Sequence, residues 1–265
     1  MEDPTRKMKP SSTLLFALKP IALLAVSFSI TVFTILFYSP SQSTVDSKLM
    51  ASRSFILWLH GLGDSGPVNE PIKTLFTSPQ FANTRWSFPS APSQRVTCNH
   101  GAVMPSWFDI HEIPITSNSP LDESSLLKAV RNVHSVIDKE LAGGIDPKNV
   151  FICGFSQGGA LTLASVLLYP KTLGGGAVFS GWVPFNSTSL IDQITTEAKR
   201  TPILWSHGIA DGTVLFEAGQ AGPPFLQRVG VNCEFKAYPG LAHSINNQEL
   251  QHLESWIKSR LESSS

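Results

Sequence analysis

The sequence predicts an α/β fold, with a mostly parallel central sheet and helices on both faces. Three observations carry this. From Ser54 onward, short apolar runs rich in β-branched and aromatic residues alternate with segments of helical periodicity. A Gly-x-Ser-x-Gly pattern at 154–158 sits between one such run and one such helix. Asp211 and His243 fall just beyond later strand-like runs, where open α/β sheets place their sites.

Residues 55–59 (FILWL) read as a buried strand and 86–88 as a shorter one. Between Pro89 and Pro120 no periodicity is visible, and so long an irregular loop suits a lid or binding wall. Its Met104, Trp107 and Phe108 either line a channel for substrate or pack beneath the loop. A long helix follows Asp122 and Glu123, which suit a positive helix N-terminus. Its Leu126, Leu127, Val130, Val133 and Ile137 recur at helical spacing, and Gly143-Gly144 ends it. Residues 150–153 form the next strand, and 160–168 form a buried helix stopped at Tyr169-Pro170. Strands follow at 176–179, 203–206 and 234–238, with a helix from Pro223 between the last two. The final helix buries Leu250, Leu253, Trp256 and Ile257.

The chain has 265 residues, which suits one domain of about 200 residues plus an appendage. A net charge of zero with only 15% charged residues argues against nucleic-acid binding. Cys98, Cys153 and Cys233 form no disulfide framework and no metal-ligand pair, and neither metal nor cofactor is expected. Residues 1–50 lie outside the predicted domain, which runs from 51 to 265. The stretch 21–38 carries no charge and reaches the minimum length for spanning a bilayer. Membrane association through a single-pass anchor is therefore expected, a signal peptide being disfavoured by the missing A-x-A site. The Lys and Arg residues before the span would put the domain on the far side of the membrane. There the sequon Asn186-Ser187-Thr188 would be available for glycosylation. A chain begun at Met50 would instead leave a complete cytoplasmic domain.

Ser156 stands at the sharp turn between a strand and a helix, where its hydroxyl is exposed for nucleophilic attack. A serine hydroxyl needs a base to accept its proton, and that base needs an orienting partner. In such folds the order along the chain is Ser, acid, His, which Ser156, Asp211 and His243 follow. Asp192, His252, His207, His60 and Asp64 are weaker candidates; His207 in particular reads as a structural hydrogen-bonder. The turn LHGLGD (59–64) follows the first strand, where the Leu62 amide can face a developing oxyanion alongside the Gln157 amide. No Walker lysine and no dinucleotide glycine spacing accompany it.

With these groups placed, the chain resembles the acyl-protein thioesterase/carboxylesterase branch of the α/β-hydrolases. The resemblance rests on LHGLGDSG (59–66), PSAP (89–92), MPSWFDI (104–110), DESSL (122–126), GFSQGGAL (154–161), FSGWVPF (179–185) and YPGLAHS (238–244). It implies Ser156 as nucleophile, Asp211 and His243 as its partners, and the Leu62 and Gln157 amides as the oxyanion hole. Acylated proteins and small acyl esters or lipids are the implied substrates, with the acyl chain near the 89–120 loop. Phospholipid deacylation, short-acyl removal and a non-catalytic reader of acylated ligands stay open. Gly212 stands where the family commonly has proline.

Overall fold

The computed structural model describes residues 54–185 and 187–263. The candidate span 21–38, Met50 and Asn186 of the sequon lie outside these residues. Among the described residues, no helix is long and apolar enough to cross a membrane.

The strands of the main sheet are β1 (Phe55–Leu59), β2 (Arg85–Ser87), β5 (Val150–Phe155), β6 (Gly175–Phe179), β7 (Ile203–Gly208) and β8 (Cys233–Tyr238). They lie in the order β2-β1-β5-β6-β7-β8, and every neighbouring pair is parallel. β1 and β5 are buried along nearly their whole lengths, which is why both read as continuous apolar runs rather than alternating ones. Their side chains nonetheless divide between two cores. Phe55, Leu57, Leu59, Val150 and Ile152 face one layer, and Ile56, Trp58, Phe151 and Cys153 face the other.

The first layer holds α2 (Glu123–Ala142), α3 (Gln157–Leu167) and α6 (Gly222–Val229); the second holds α7 (Asn247–Ser263). Short helices α1 (Gly66–Asn69), α4 (Thr188–Ile191) and α5 (Phe216–Gln220) complete the set among the described residues. The Asp122 carboxylate caps α2 by accepting from the Ser125 amide at 3.1 Å. Every residue of α3 is buried, so its sequence carries no polar stripe. α6 begins at Gly222, one residue ahead of the expected Pro223.

The stretch 89–120 is not the irregular loop expected. It contains an antiparallel hairpin of β3 (Ser93–Val96) and β4 (Ala102–Pro105), turned through 3-10 residues Thr97–Asn99. Most of the hairpin's residues are at least partly exposed on both faces, so it shows no apolar alternation. Pro105 accepts from the Gly63 amide at 2.9 Å, which ties the hairpin to the loop after β1.

Chain order places the site. From β1 the chain goes to β2 on one side and then returns to β5 on the other. The connections therefore part at the carboxyl ends of β1 and β5 and leave a crevice there.

Candidate active site

Ser156 is the single residue between β5 and α3, with φ 54° and ψ −119°. A non-glycine residue in such a conformation stores roughly 1–3 kcal/mol and persists only where its surroundings hold it. Here they do. The Ser156 amide donates to the Phe179 carbonyl at 2.8 Å, and Ala160 donates back to the Ser156 carbonyl at 3.0 Å. A methyl group on Gly158 would lie 2.1 Å from the Leu59 carbonyl oxygen, and one on Gly154 would lie 2.2 Å from that of Gly158. Glycine at these two positions is what lets α3 start hard against β1.

His243 lies on the loop after β8. Its Nε2 is 2.9 Å from Ser156 Oγ and its Nδ1 is 2.7 Å from Asp211 Oδ2. A carboxylate only accepts, so Nδ1 carries the proton and Nε2 is left to receive one from the serine. Asp211 Oδ1 accepts from the Thr213 and Val214 amides, both at 2.9 Å. Burial pushes the Asp211 carboxyl up, but the bond from His243 and the two amides outweigh this and hold it below the usual carboxylate value. The acid is sealed from water, while the imidazole keeps 18% of its side-chain surface exposed. The imidazole is therefore both oriented and reachable.

Beside this chain of hydrogen bonds lies a cavity of about 210 Å³, lined in part by Gly61, Leu62, Ser156, Trp182, Val214 and His243. Neither the Leu62 nor the Gln157 amide donates to an acceptor among the described residues. As the first residue of α3, Gln157 has no carbonyl one turn back to bond. Its side chain is buried and donates to Ser106 Oγ at 2.9 Å and to the Phe108 carbonyl at 2.7 Å.

The rest of the cavity wall comes from Asp64, Ile110, Ile113, Ile115, Phe155 and Thr213, and Met104, Trp107 and Phe108 are not among its lining residues. Trp107 donates its indole N–H to the His60 carbonyl at 2.8 Å and its amide to Gln157 Oε1 at 3.0 Å. Phe108 is buried in the core against Trp182. Met104 Sδ accepts from Asn99 Nδ2 at 3.2 Å. These three brace the loop beside the cavity.

The weaker candidates are structural. His60 is buried, with Nδ1 donating to the Gly61 carbonyl and Nε2 accepting from the Ala91 amide. Asp64 accepts from Ser65 and Asn69 and lies at the cavity's edge. His252 pairs with Glu234 at 2.8 Å rather than simply facing water. Asp192 follows the end of α4. His207 is fully buried beneath the Asp211 turn.

A profile of the family described as Phospholipase/Carboxylesterase matches residues 40–261. The chain belongs to that family. Its fold is that of the α/β-hydrolases. It is 68% identical to the Arabidopsis thaliana protein named "Probable carboxylesterase SOBER1-like", covering 93% of this chain and 96% of that one. The crystal structure of Arabidopsis thaliana SOBER1 superposes with a TM-score of 0.77 at 69% identity, covering 79% of this chain and 99% of that one. An acyl-protein thioesterase 1 from Cryptococcus neoformans is 35% identical, over 80% of this chain and 94% of its own. An Oryza sativa relative, 52% identical over 77% of this chain and 83% of its own, is named a "Probable inactive carboxylesterase". Activity within the family therefore has to be argued from the site.

Proposed function

We propose that the protein is a serine hydrolase of acyl esters and thioesters, working through an acyl-enzyme on Ser156. The observation that carries this is the unbroken hydrogen-bond chain Ser156 Oγ–His243–Asp211 opening onto an apolar cavity. In the first half-reaction Ser156 Oγ attacks the acyl carbonyl while its proton passes to His243 Nε2. The resulting oxyanion sits against the Leu62 and Gln157 amides, each such donor stabilising the transition state by about 3 kcal/mol. Collapse breaks the bond to the alcohol or thiol, which leaves with the proton from His243. Water then repeats the sequence on the acyl-serine and releases the carboxylic acid. Asp211 stays ionised throughout and stabilises the imidazolium.

At about 210 Å³ the cavity lies below the roughly 300–1,000 Å³ of sites that enclose drug-sized ligands. This favours short acyl groups over palmitoyl, whether carried by a protein cysteine or by a small ester. A p-nitrophenyl ester series from acetate to palmitate tests the reading. Activity should be greatest on the short esters and absent in Ser156→Ala, and a fluorophosphonate should label wild type alone. An unlabelled wild type would leave only the non-catalytic reader.

Association with a membrane through residues 21–38 belongs to the same proposal. It rests on the uncharged stretch, which is long enough to span a bilayer. Fractionation of cells expressing the chain from Met1 tests it; recovery wholly in the soluble fraction would remove it.

A further inference from the structure

His207, at the end of β7, is fully buried, and its Nε2 lies 3.0 Å from the Val214 carbonyl. A carbonyl only accepts, so Nε2 bears the proton and Nδ1 presents a bare lone pair. Nδ1 finds no partner among the described residues. Behind it stands Gly219, where a methyl group would come within 2.1 Å of Nδ1, so the ring fills the space that glycine leaves. The same Nε2 is 3.6 Å from Asp211 Oδ2, the oxygen that accepts the hydrogen bond from His243. Two histidines thus share one carboxylate, and only His243 makes the short contact.

Val214 is the hub. Its amide donates to Asp211 Oδ1, its carbonyl accepts from His207, and the residue lines the cavity. Val214 also bridges to Ile115 of the cavity wall, where the Ile115 amide donates to the Thr213 carbonyl at 2.8 Å. The bond from His207 therefore closes the turn that aims the acid and seats one wall of the acyl cavity.

We propose that His207 is a positioning residue: as a neutral donor to Val214, it sets the acid turn and leaves the charge of Asp211 to His243. The proposal rests on the hydrolase reading above. Neutrality follows from the surroundings. Protonation would place an N–H at Nδ1 with nothing to accept it, and would set a second cation competing for Asp211 Oδ2. Burial pulls the His207 imidazole below its usual value, against the bond to Val214 and the charge of Asp211, while His243 opposes protonation. Asp211 and His243 are the titratable groups that face it; α5 packs on the ring through Phe216 and Gly219, which carry no charge.

The test compares His207→Gln, which keeps a donor at similar reach, with His207→Leu, which removes it. For His207→Leu, kcat on a short p-nitrophenyl ester should fall about 10- to 100-fold with KM little changed. The pH of half-maximal kcat/KM should also move down, because a mis-aimed Asp211 supports the imidazolium less. His207→Gln should retain most of kcat and the wild-type pH profile. Wild-type kcat and pH profile in His207→Leu, or equal damage in both variants, overturns the proposal. If His207→Leu does not fold, His207→Asn replaces it, its amide being too short to reach Val214; Asn performing as well as Gln is again fatal. Ser156→Ala is run alongside. Activity surviving there overturns the hydrolase reading, whereas a Ser156-dependent enzyme indifferent to residue 207 overturns this proposal alone.

Discussion

Glu249 offers a test of how burial sets proton affinity in this domain. It sits fully buried in the first turn of α7, where Oε2 accepts from the Asn246 amide at 2.8 Å. Asn246 Oδ1 in turn accepts from the Glu249 amide at 2.9 Å, a reciprocal cap on the helix. Oε1 has no partner among the described residues. Burial pushes the carboxyl from 4.5 up to about 7, the Asn246 amide opposing it only in part. The folded state therefore holds this proton more tightly than the unfolded chain does, and the contribution of Glu249 to stability declines as pH rises from 4.5 through about 7. At 1.36 kcal/mol per unit, the full effect above pH 7 is about 3 kcal/mol. Glu249→Gln keeps the acceptor for Asn246 and never ionises. Its Tm should match wild type at pH 4.5–5 and exceed it by roughly 6–12 °C at pH 8.5. Thermal unfolding of both proteins at the two pH values provides the measurement. Contributions common to both, including those of the buried histidines, cancel in the double difference. A gap that does not change with pH would show that the carboxyl is not the coupled group.

Gly158→Ala should lower kcat by about two orders of magnitude or more, and lower Tm, because the new methyl must push the Leu59 carbonyl and its loop away. Near-normal ester hydrolysis would contradict the close-approach argument. Ile115→Ala should widen the cavity and raise octanoyl relative to acetyl ester turnover, while costing about 2–4 kcal/mol in denaturant unfolding. An unchanged chain-length profile would mean that Ile115 does not bound the acyl group. Iodoacetamide at neutral pH should leave activity intact. Cys153 is buried with its thiol pushed far up, burial pushes that of Cys233 up to about 12, and burial with the nearby Asp109 charge also pushes that of Cys98 up. Rapid inactivation, read with the same ester assay, would contradict this.

The parts legible in sequence were those where burial or backbone geometry leaves a chemical mark. β1 and β5 announced themselves because parallel strands sandwiched between helices need apolar residues on both faces. Ser156, Asp211 and His243 were readable from their place after strands, and the structure brings them within hydrogen-bond reach. The hairpin Ser93–Pro105 was not readable, since its strands bury little and so leave no alternation. The two readings of Met104, Trp107 and Phe108 could not be told apart for a related reason. All three are apolar enough to line a channel, and the Trp107 amide and indole hydrogen bonds, the Asn99 bond to Met104 Sδ and the packing of Phe108 on Trp182 are invisible in a letter string. A usable signal lay close by: Ile113-Pro114-Ile115, where the proline holds the preceding residue extended; Ile115 is buried, while Ile113 lines the cavity from an exposed position. His207 could be seen to end a strand, but its grip on Val214 depends on a turn closing seven residues later.

The twisted backbone at Ser156 sets a limit on how this molecule can be improved. Glycine would relax there, so Ser156→Gly should unfold at a higher temperature than Ser156→Ala while both are inert as hydrolases. Selection for robustness alone would therefore drift toward a sturdier shell without chemistry, and any stabilising campaign on this protein should hold that one position fixed.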